Sequence, residues 1–428
     1  MAKTYSLSYG EQTLHFSDDA VIFCATANRP EVLPDPTELV ENALDHPYGT
    51  QRLEELVSPG SRVVLIVDDI TRPTPRQLLL EMVTKRLSSV PNLDISIVLA
   101  LGTHRPMTQE EIDKDLGVFA RRYPVINISY LDKQRFAVAG EMPDGTPIRV
   151  YKEVLEADVI VGIGNIVPHI AAGWGGGAKI IMPGVCGKET TDAIHMLSCV
   201  KQNVLETCGN TENLFRKTME TLAEKVGLTF IINTVIDEEK HLLGVFAGDF
   251  IAAHRAGVAY ARQVLCPEIP ERADILIVSA NPANADFWQG AKPYVFAHFA
   301  VKRGGVLIFL LSAEHGLCGC APAHQKAMEE YYNRSEEEIL RAIADGSATD
   351  ILGMGEAFIR MQTEGFCKTL LVSNGLTEKD AQLLGFEKAD TLESALIRAR
   401  ELAGPNATIG IIPQGGEVLC RERSLPHF

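Results

Sequence analysis

The sequence predicts an α/β protein of two domains, each built on a mainly parallel sheet, with a functional cleft between them. Three observations carry this expectation. The chain has 428 residues, too long for one ordinary core. Strand-sized apolar runs at Arg62–Val67, Ile95–Ala100 and Asp158–Ile163 alternate with helix-patterned segments, the mark of a parallel sheet covered by helices. The alternation starts afresh at Ile275–Ser279, beyond a proline-bearing connection at Cys266–Glu271. An N-terminal domain is therefore expected over residues 1–266 and a C-terminal α/β domain over 271–408, with residues 409–428 returning to the first.

Alternation in YSLSYGEQTLHF suggests a small strand-rich lead-in, followed by a proline-rich connection at Arg29–Pro36. The strand Arg62–Val67 runs into DDITRPTP. Thr74-Pro75-Arg76-Gln77 has capping-box spacing with proline at the first helical position, which predicts a helix over Arg76–Leu87. Ile95–Ala100 exits through LGTHR, and Thr108 with Glu111 opens the next helix by the same device. Asp158–Ile163 exits through GNIVPH. A strand at Thr229–Ile236 and a helix at Phe250–Leu265 close the first half. In the second half, strands are expected at Ile275–Ser279, Val306–Leu311, Thr369–Val372 and Phe386–Asp390, with helices at Ser335–Ala344 and Leu392–Leu402 and one more strand in the tail. No short-period repeat is present.

Composition excludes several function classes. Hydrophobic content of 46% with 22% charged residues is that of an ordinary globular protein. A net charge of −16 disfavours nucleic acid and anionic membranes, so an anionic ligand must find local positive charge. The start, MAKTYSLSYGEQTLHF, has no signal-peptide pattern, and no apolar run approaches the roughly 20 residues a bilayer requires. Nine cysteines, with Cys318 and Cys320 the only close pair and no C-x-x-C, suggest reduced thiols and a cytoplasmic location.

Chemistry concentrates in PHIAAGWGGGAKIIMPGVCGKETTDAIHMLS, residues 168–198. Gly173, Gly175, Gly176 and Gly177 free the backbone for tight turns and for close approach of an anion to bare N–H groups, and Lys179 follows them. The spacing matches neither G-x-x-x-x-G-K-[ST] nor G-x-G-x-x-G. Lys179 reads either as a phosphate counter-charge or as a covalent attachment point. His104, His169 and His195 are candidates for proton transfer or metal ligation, against the plainer role of hydrogen-bonded loop residues. No closed cysteine–histidine cluster accompanies them, so a metal held by one histidine would take its other donors from a cofactor. Arg72 in its turn is either a solvated arginine or a fork for a carboxylate. Gln289 and Lys292, three apart, share a helical face at a strand exit, where parallel sheets bind ligands.

Together DDITRPTP, GTHRPMT, PHIAAGWGGGAKIIMPG, His195 and FWQGAK resemble the nickel-pincer lactate racemase family, in order and across both halves. The resemblance implies a nickel complex of pyridinium-3,5-bisthiocarboxylic acid mononucleotide, covalently joined to Lys179, with His195 as the protein ligand to nickel. It implies His104 and His169 as the paired acid/base groups. Arg72 and Gln289 would hold substrate, Lys292 would lie near the cofactor or the substrate carboxylate, and Asp69 with Thr71 would position this shell or the cofactor ribose. Gly175, Gly176 and Gly177 would leave room for the mononucleotide. The implied activity is racemisation or epimerisation of 2-hydroxy acids by proton-coupled hydride transfer through a bound 2-keto acid, with cofactor-biosynthesis enzymes as partners.

The sequence departs from the family pattern at Trp174, Ala178 and Trp288. Both tryptophans are expected against the substrate, so the departures imply another 2-hydroxy acid, or a sugar acid, in place of lactate. A 2-hydroxy-acid oxidoreductase with the same cofactor and a non-catalytic cofactor-binding protein remain the alternatives, the latter disfavoured by the acid/base pair. Self-association into a homo-oligomer is left open.

Overall fold

The computed structural model describes residues 3–142, 145–319, 322–348 and 350–423. Cys320 and the last five residues, 424–428, lie outside the described residues.

Two six-stranded sheets organise the chain. In chain order their strands are β1 (Val21–Cys24), β2 (Arg62–Asp68), β3 (Asp94–Ala100), β4 (Val125–Ile126), β5 (Val159–Asn165), β6 (Leu228–Ile236), β7 (Leu242–Gly248), β8 (Ala273–Ser279), β9 (Val301–Leu310), β10 (Lys368–Val372), β11 (Glu387–Ala389) and β12 (Ile409–Ile412). The first sheet runs β7-β6-β5-β2-β3-β4 and the second β11-β10-β9-β8-β12-β1. Every pairing within them is parallel except β6 with β7. The helices that matter below are α1 (Arg76–Leu87), α2 (Lys188–Lys201), α3 (Leu214–Val226), α4 (Ala252–Leu265), α5 (Phe287–Ala297), α6 (Pro322–Tyr331) and α7 (Ile351–Thr363).

The central strands read as unbroken apolar runs because helices cover both faces. Val63, Leu65 and Val67 of β2 join Leu79 and Val83 of α1 in one layer, while Val64 and Ile66 join Phe215 and Met219 of α3 in the other. Burying each such side chain stabilises the fold by about 1.5–3 kcal/mol. The second sheet repeats the device: Leu276 and Val278 face one core, Ile275 and Ile277 the other.

Both chain ends depart from the expected division. Strand β12 does not return to the first sheet; it lies between β8 and β1 in the second. Its four residues are all buried, and only a central position with parallel neighbours on either side satisfies such a strand. The N-terminal lead-in belongs there as well, since Leu7, Tyr9 and Phe16 of the hairpin Thr4–Tyr9 and Gln12–Ser17 pack against Ile275 and Ile277. Beyond β12, Arg421–Glu422 pairs with Glu268–Ile269 at the junction of the halves.

The eight described cysteines are free thiols. Among the described residues no helix is long and apolar enough to cross a membrane.

Candidate functional site

The carboxyl ends of the two sheets open on one cavity of about 850 Å³, lined by both halves of the chain. Because β5, β2 and β3 are neighbours and parallel, the loops carrying His169, Asp69 to Arg72, and His104 converge on it. Helix α5 brings Trp288, Gln289 and Lys292 from the facing half, its N-terminus fixed by Asp286, which accepts from the Gln289 amide at 2.9 Å.

The loop after β2 is held from below by Arg76. This buried guanidinium pairs with Asp68 at 2.8 Å and Asp115 at 2.5 Å, and donates to the carbonyls of Asp69 and Arg72. Thr74 does not cap α1 as its spacing suggested; its hydroxyl is taken by Asp68 at 2.6 Å. Asp69 is thereby presented to His104, whose Nδ1 lies 2.5 Å from its carboxylate. Burial opposes the charge on Asp69, yet His104, Arg72 and Thr71 outweigh it and hold the carboxyl well below the usual range. The ionised carboxylate fixes the proton of His104 on Nδ1 and leaves Nε2 with its lone pair.

His169 is set the opposite way. Its Nδ1 accepts from the amides of Ala171 and Ala172, both at 3.2 Å, so the proton of the neutral ring sits on Nε2. Burial, followed by the charges of Lys179, Lys292 and Arg72, pushes its pKa well below the ordinary value. Lys179 itself is lowered to about 7, chiefly by burial and then by Arg72 and Arg216, so about half its amine is unprotonated at neutral pH. Lys292 is also driven well down by burial and by Arg72 and Lys179, and its Nζ lies 3.5 Å from Gln289 Oε1. Arg72 acts on Asp69 and Glu417 through its charge, but no side-chain hydrogen bond or ion pair of its guanidinium is found among the described residues, which leaves it on the cavity wall available to an anion.

His195, on α2, donates from Nδ1 to the Thr191 carbonyl at 2.7 Å and rests edge-on against Phe215. Burial lowers it to about 4. It is a neutral imidazole whose Nε2 is free for a metal. Among the described residues no three histidine, cysteine, aspartate or glutamate side chains gather into a metal-binding group.

Burial also lowers His254 and His298, giving with His169 and His195 four rings that resist protonation in the fold. The unfolded chain takes up protons at these positions as pH falls below about 6.5, where the folded chain does not, so stability drops with pH in that range. Urea midpoints measured from pH 7 down to 5 should fall steadily. A flat profile would contradict the four assignments.

The glycine-rich turn serves the protein more than a ligand. Gly175 N–H donates to the Val167 carbonyl at 2.7 Å and Gly177 N–H to Asn233 Oδ1 at 2.7 Å, so neither is a bare anion donor. Gly175 and Gly176 do line the cavity, whereas Gly177, at φ 59°, packs where a Cβ would lie 2.9 Å from the His254 ring. Trp174 also differs from expectation. It is 0% exposed, its indole donates to the Gly209 carbonyl at 2.8 Å, and it does not line the cavity. Trp174→Ala should cost about 3–5 kcal/mol, read as a large fall in melting temperature. Trp288 does reach the cavity and stacks on His324 with ring centroids 4.5 Å apart.

Several organising residues carried no sequence signal. Arg216 is 0% exposed and collects the carbonyls of Ala172, Trp174 and Gly176, while His254 Nε2 meets the Gly175 carbonyl at 2.9 Å. Both lie on helices, α3 and α4, far along the chain from the turn they hold. Glu356 on α7 and Glu417 beyond β12 also line the cavity. Arg76 begins the helix expected at Arg76–Leu87, but nothing in the sequence announces its ion pairs with Asp68 and Asp115.

Residues 7–207 match the family model described as the lactate racemase N-terminal domain, and residues 269–420 match the lactate racemase C-terminal domain. A lactate racemase of Lactiplantibacillus plantarum is 30% identical over 390 residues, spanning 90% of this chain and 91% of that protein. One from Thermoanaerobacterium thermosaccharolyticum is 28% identical over 435 residues, spanning 97% and 99%. The solved lactate racemase apoprotein of T. thermosaccharolyticum is similar with a TM-score of 0.87 at 25% identity, covering 98% of this chain and 100% of that one. A crystal structure of a Thermotoga maritima protein shares the fold at a TM-score of 0.71 and 19% identity, covering 92% and 100%. With both halves matched in order and a relative alike over nine-tenths of its length, the chain belongs to the lactate racemase family and is an isomerase of the racemase type.

Proposed function

We propose that the protein inverts C2 of a 2-hydroxy acid, with a nickel-pincer pyridinium mononucleotide tethered to Lys179 and ligated through nickel by His195. One observation carries this: two histidines whose Nδ1 atoms are held in opposite senses, one against the Asp69 carboxylate and one accepting from two amides, share a cavity with Lys179, a lysine pushed down to about 7. The residues suit such a group. Lys179 offers a nucleophilic nitrogen, His195 a neutral Nε2, and Gly175 with Gly176 a wall without side chains. The bound group would supply a hydride acceptor and donor, so that C2 becomes planar and loses its handedness.

The remaining work falls to this chain. Arg72 receives the substrate carboxylate as a planar fork, and Gln289 and Lys292 complete the pocket. A hydroxyl facing His104 loses its proton to Nε2, and the Asp69 carboxylate stabilises the imidazolium that results. An oxygen turned the other way meets Nε2–H of His169. Two such groups are required because the mirror-image substrates present their hydroxyls to opposite sides. The two are not equivalent: His169 accepts a proton on Nε2 only after the proton it carries has left or its ring has released the amides of Ala171 and Ala172.

Protein co-produced with the cofactor-biosynthesis enzymes should racemise at least one acid in a broad panel of chiral 2-hydroxy acids, followed by chiral chromatography. Failure on the whole panel, with nickel and the tethered mass present, would refute the proposal. Arg72→Met should raise KM by about 100-fold with a smaller change in kcat, since a carboxylate and its buried partners are left unpaired. An unchanged KM would place the carboxylate elsewhere.

A further inference from the structure

Glu356 lies on the cavity wall where α7 packs against α2, close enough to Lys292 to feel its charge. It is 6% exposed, and no hydrogen bond or ion pair to its carboxyl is found among the described residues, Lys292 included. Buried carboxyls are ordinarily satisfied, so one left open on the wall of a ligand cavity marks a place where a polar group of the ligand belongs. Its protonation narrows the choice. Burial raises it to about 8, against the pull of Lys292 and with the help of Asp286, so at neutral pH it is mostly an acid that both donates and accepts.

A hydroxyl, itself donor and acceptor, matches such a group. A second carboxylate would have to share the wall with Glu417 and lie near the buried Asp286, and a cationic substituent would meet Lys292 and Arg72. An alkyl or aryl chain would leave the acid buried without a partner. We propose that Glu356 hydrogen-bonds a hydroxyl on C3 or beyond, so that the substrates are polyhydroxylated 2-hydroxy acids, the aldonate class. This rests on the assignment of the cavity to 2-hydroxy-acid racemisation.

Glycerate and lactate differ only by the C3 hydroxyl and so isolate the contact. With the loaded enzyme, kcat/KM for glycerate should exceed that for lactate by about 10- to 100-fold. Glu356→Leu should reduce that ratio to near one, and the isosteric Glu356→Gln, which keeps a donor and an acceptor and is the variant safer for folding, should retain part of it. Lactate turned over as well as glycerate by the wild type, a ratio unmoved by Glu356→Leu, or malate preferred to glycerate would each overturn the proposal. Absence of turnover with every acid in the panel is a distinct result: it removes the racemase assignment of the cavity and this proposal with it.

Discussion

Lys179→Ala should abolish racemisation, with a loss of at least about 10⁴-fold, and should remove the covalent adduct from the intact mass of protein produced beside the cofactor-biosynthesis enzymes. Burial and the flanking Arg72 and Arg216 hold the lysine near pKa 7, where a large fraction is a free amine able to attack an activated acyl carbon. An ordinary surface lysine, at about 10.4, is almost wholly protonated at neutral pH and offers little nucleophile. Removing a charge that the fold desolvates should not harm folding, so thermal melting of the cofactor-free variant should match or exceed the wild type. An adduct that survives in Lys179→Ala would refute the anchor assignment outright.

His104→Ala and His169→Ala should each lower kcat/KM by about 10²- to 10⁴-fold while the adduct and the nickel content persist. The equilibrium between mirror images belongs to the substrate, so each variant must slow both directions by the same factor. The variants should part in single turnover. After acid quench, each should still yield 2-keto acid from one enantiomer, and the enantiomer should differ between them. Equal yields from both enantiomers in either variant would mean that the two histidines do not serve opposite faces. Asp69→Asn adds a control: it leaves the ring space filled but removes the carboxylate that fixes the tautomer of His104 and stabilises its imidazolium.

Much of this arrangement was legible because it depends on short-range signals. Arg62–Asp68, Asp94–Ala100 and Val159–Asn165 are apolar runs that can only be central parallel strands, and their order in the chain was enough to bring Asp69, His104 and His169 to one edge. What could not be read were contacts between distant segments. Nothing near Trp174 in sequence announces that Gly209 will take its indole proton, or that Arg216 will occupy the carbonyls around it. The glycines were read correctly as backbone freedom, but the freedom is used to pass under His254 and Asn233 as well as to face a ligand. Thr74 failed as a cap for a related reason: a charged acceptor supplied by the preceding strand, Asp68, outcompeted the amide of its own helix.

The placement of β12 beside β1 also bears on the order in which the protein is made. The second sheet takes one edge strand from the first 24 residues and an interior strand from residues 409–412, so it cannot be completed until nearly the whole chain has left the ribosome. The first sheet, finished by Gly248, has its strands in hand much earlier. During synthesis Asp69, His104, His169 and Lys179 would then stand on a formed half-site open to solvent, and the facing wall with Lys292, Glu356 and Glu417 would arrive last. Loading of a bulky cofactor onto the nascent chain would then meet a half-site that the facing wall does not yet cover.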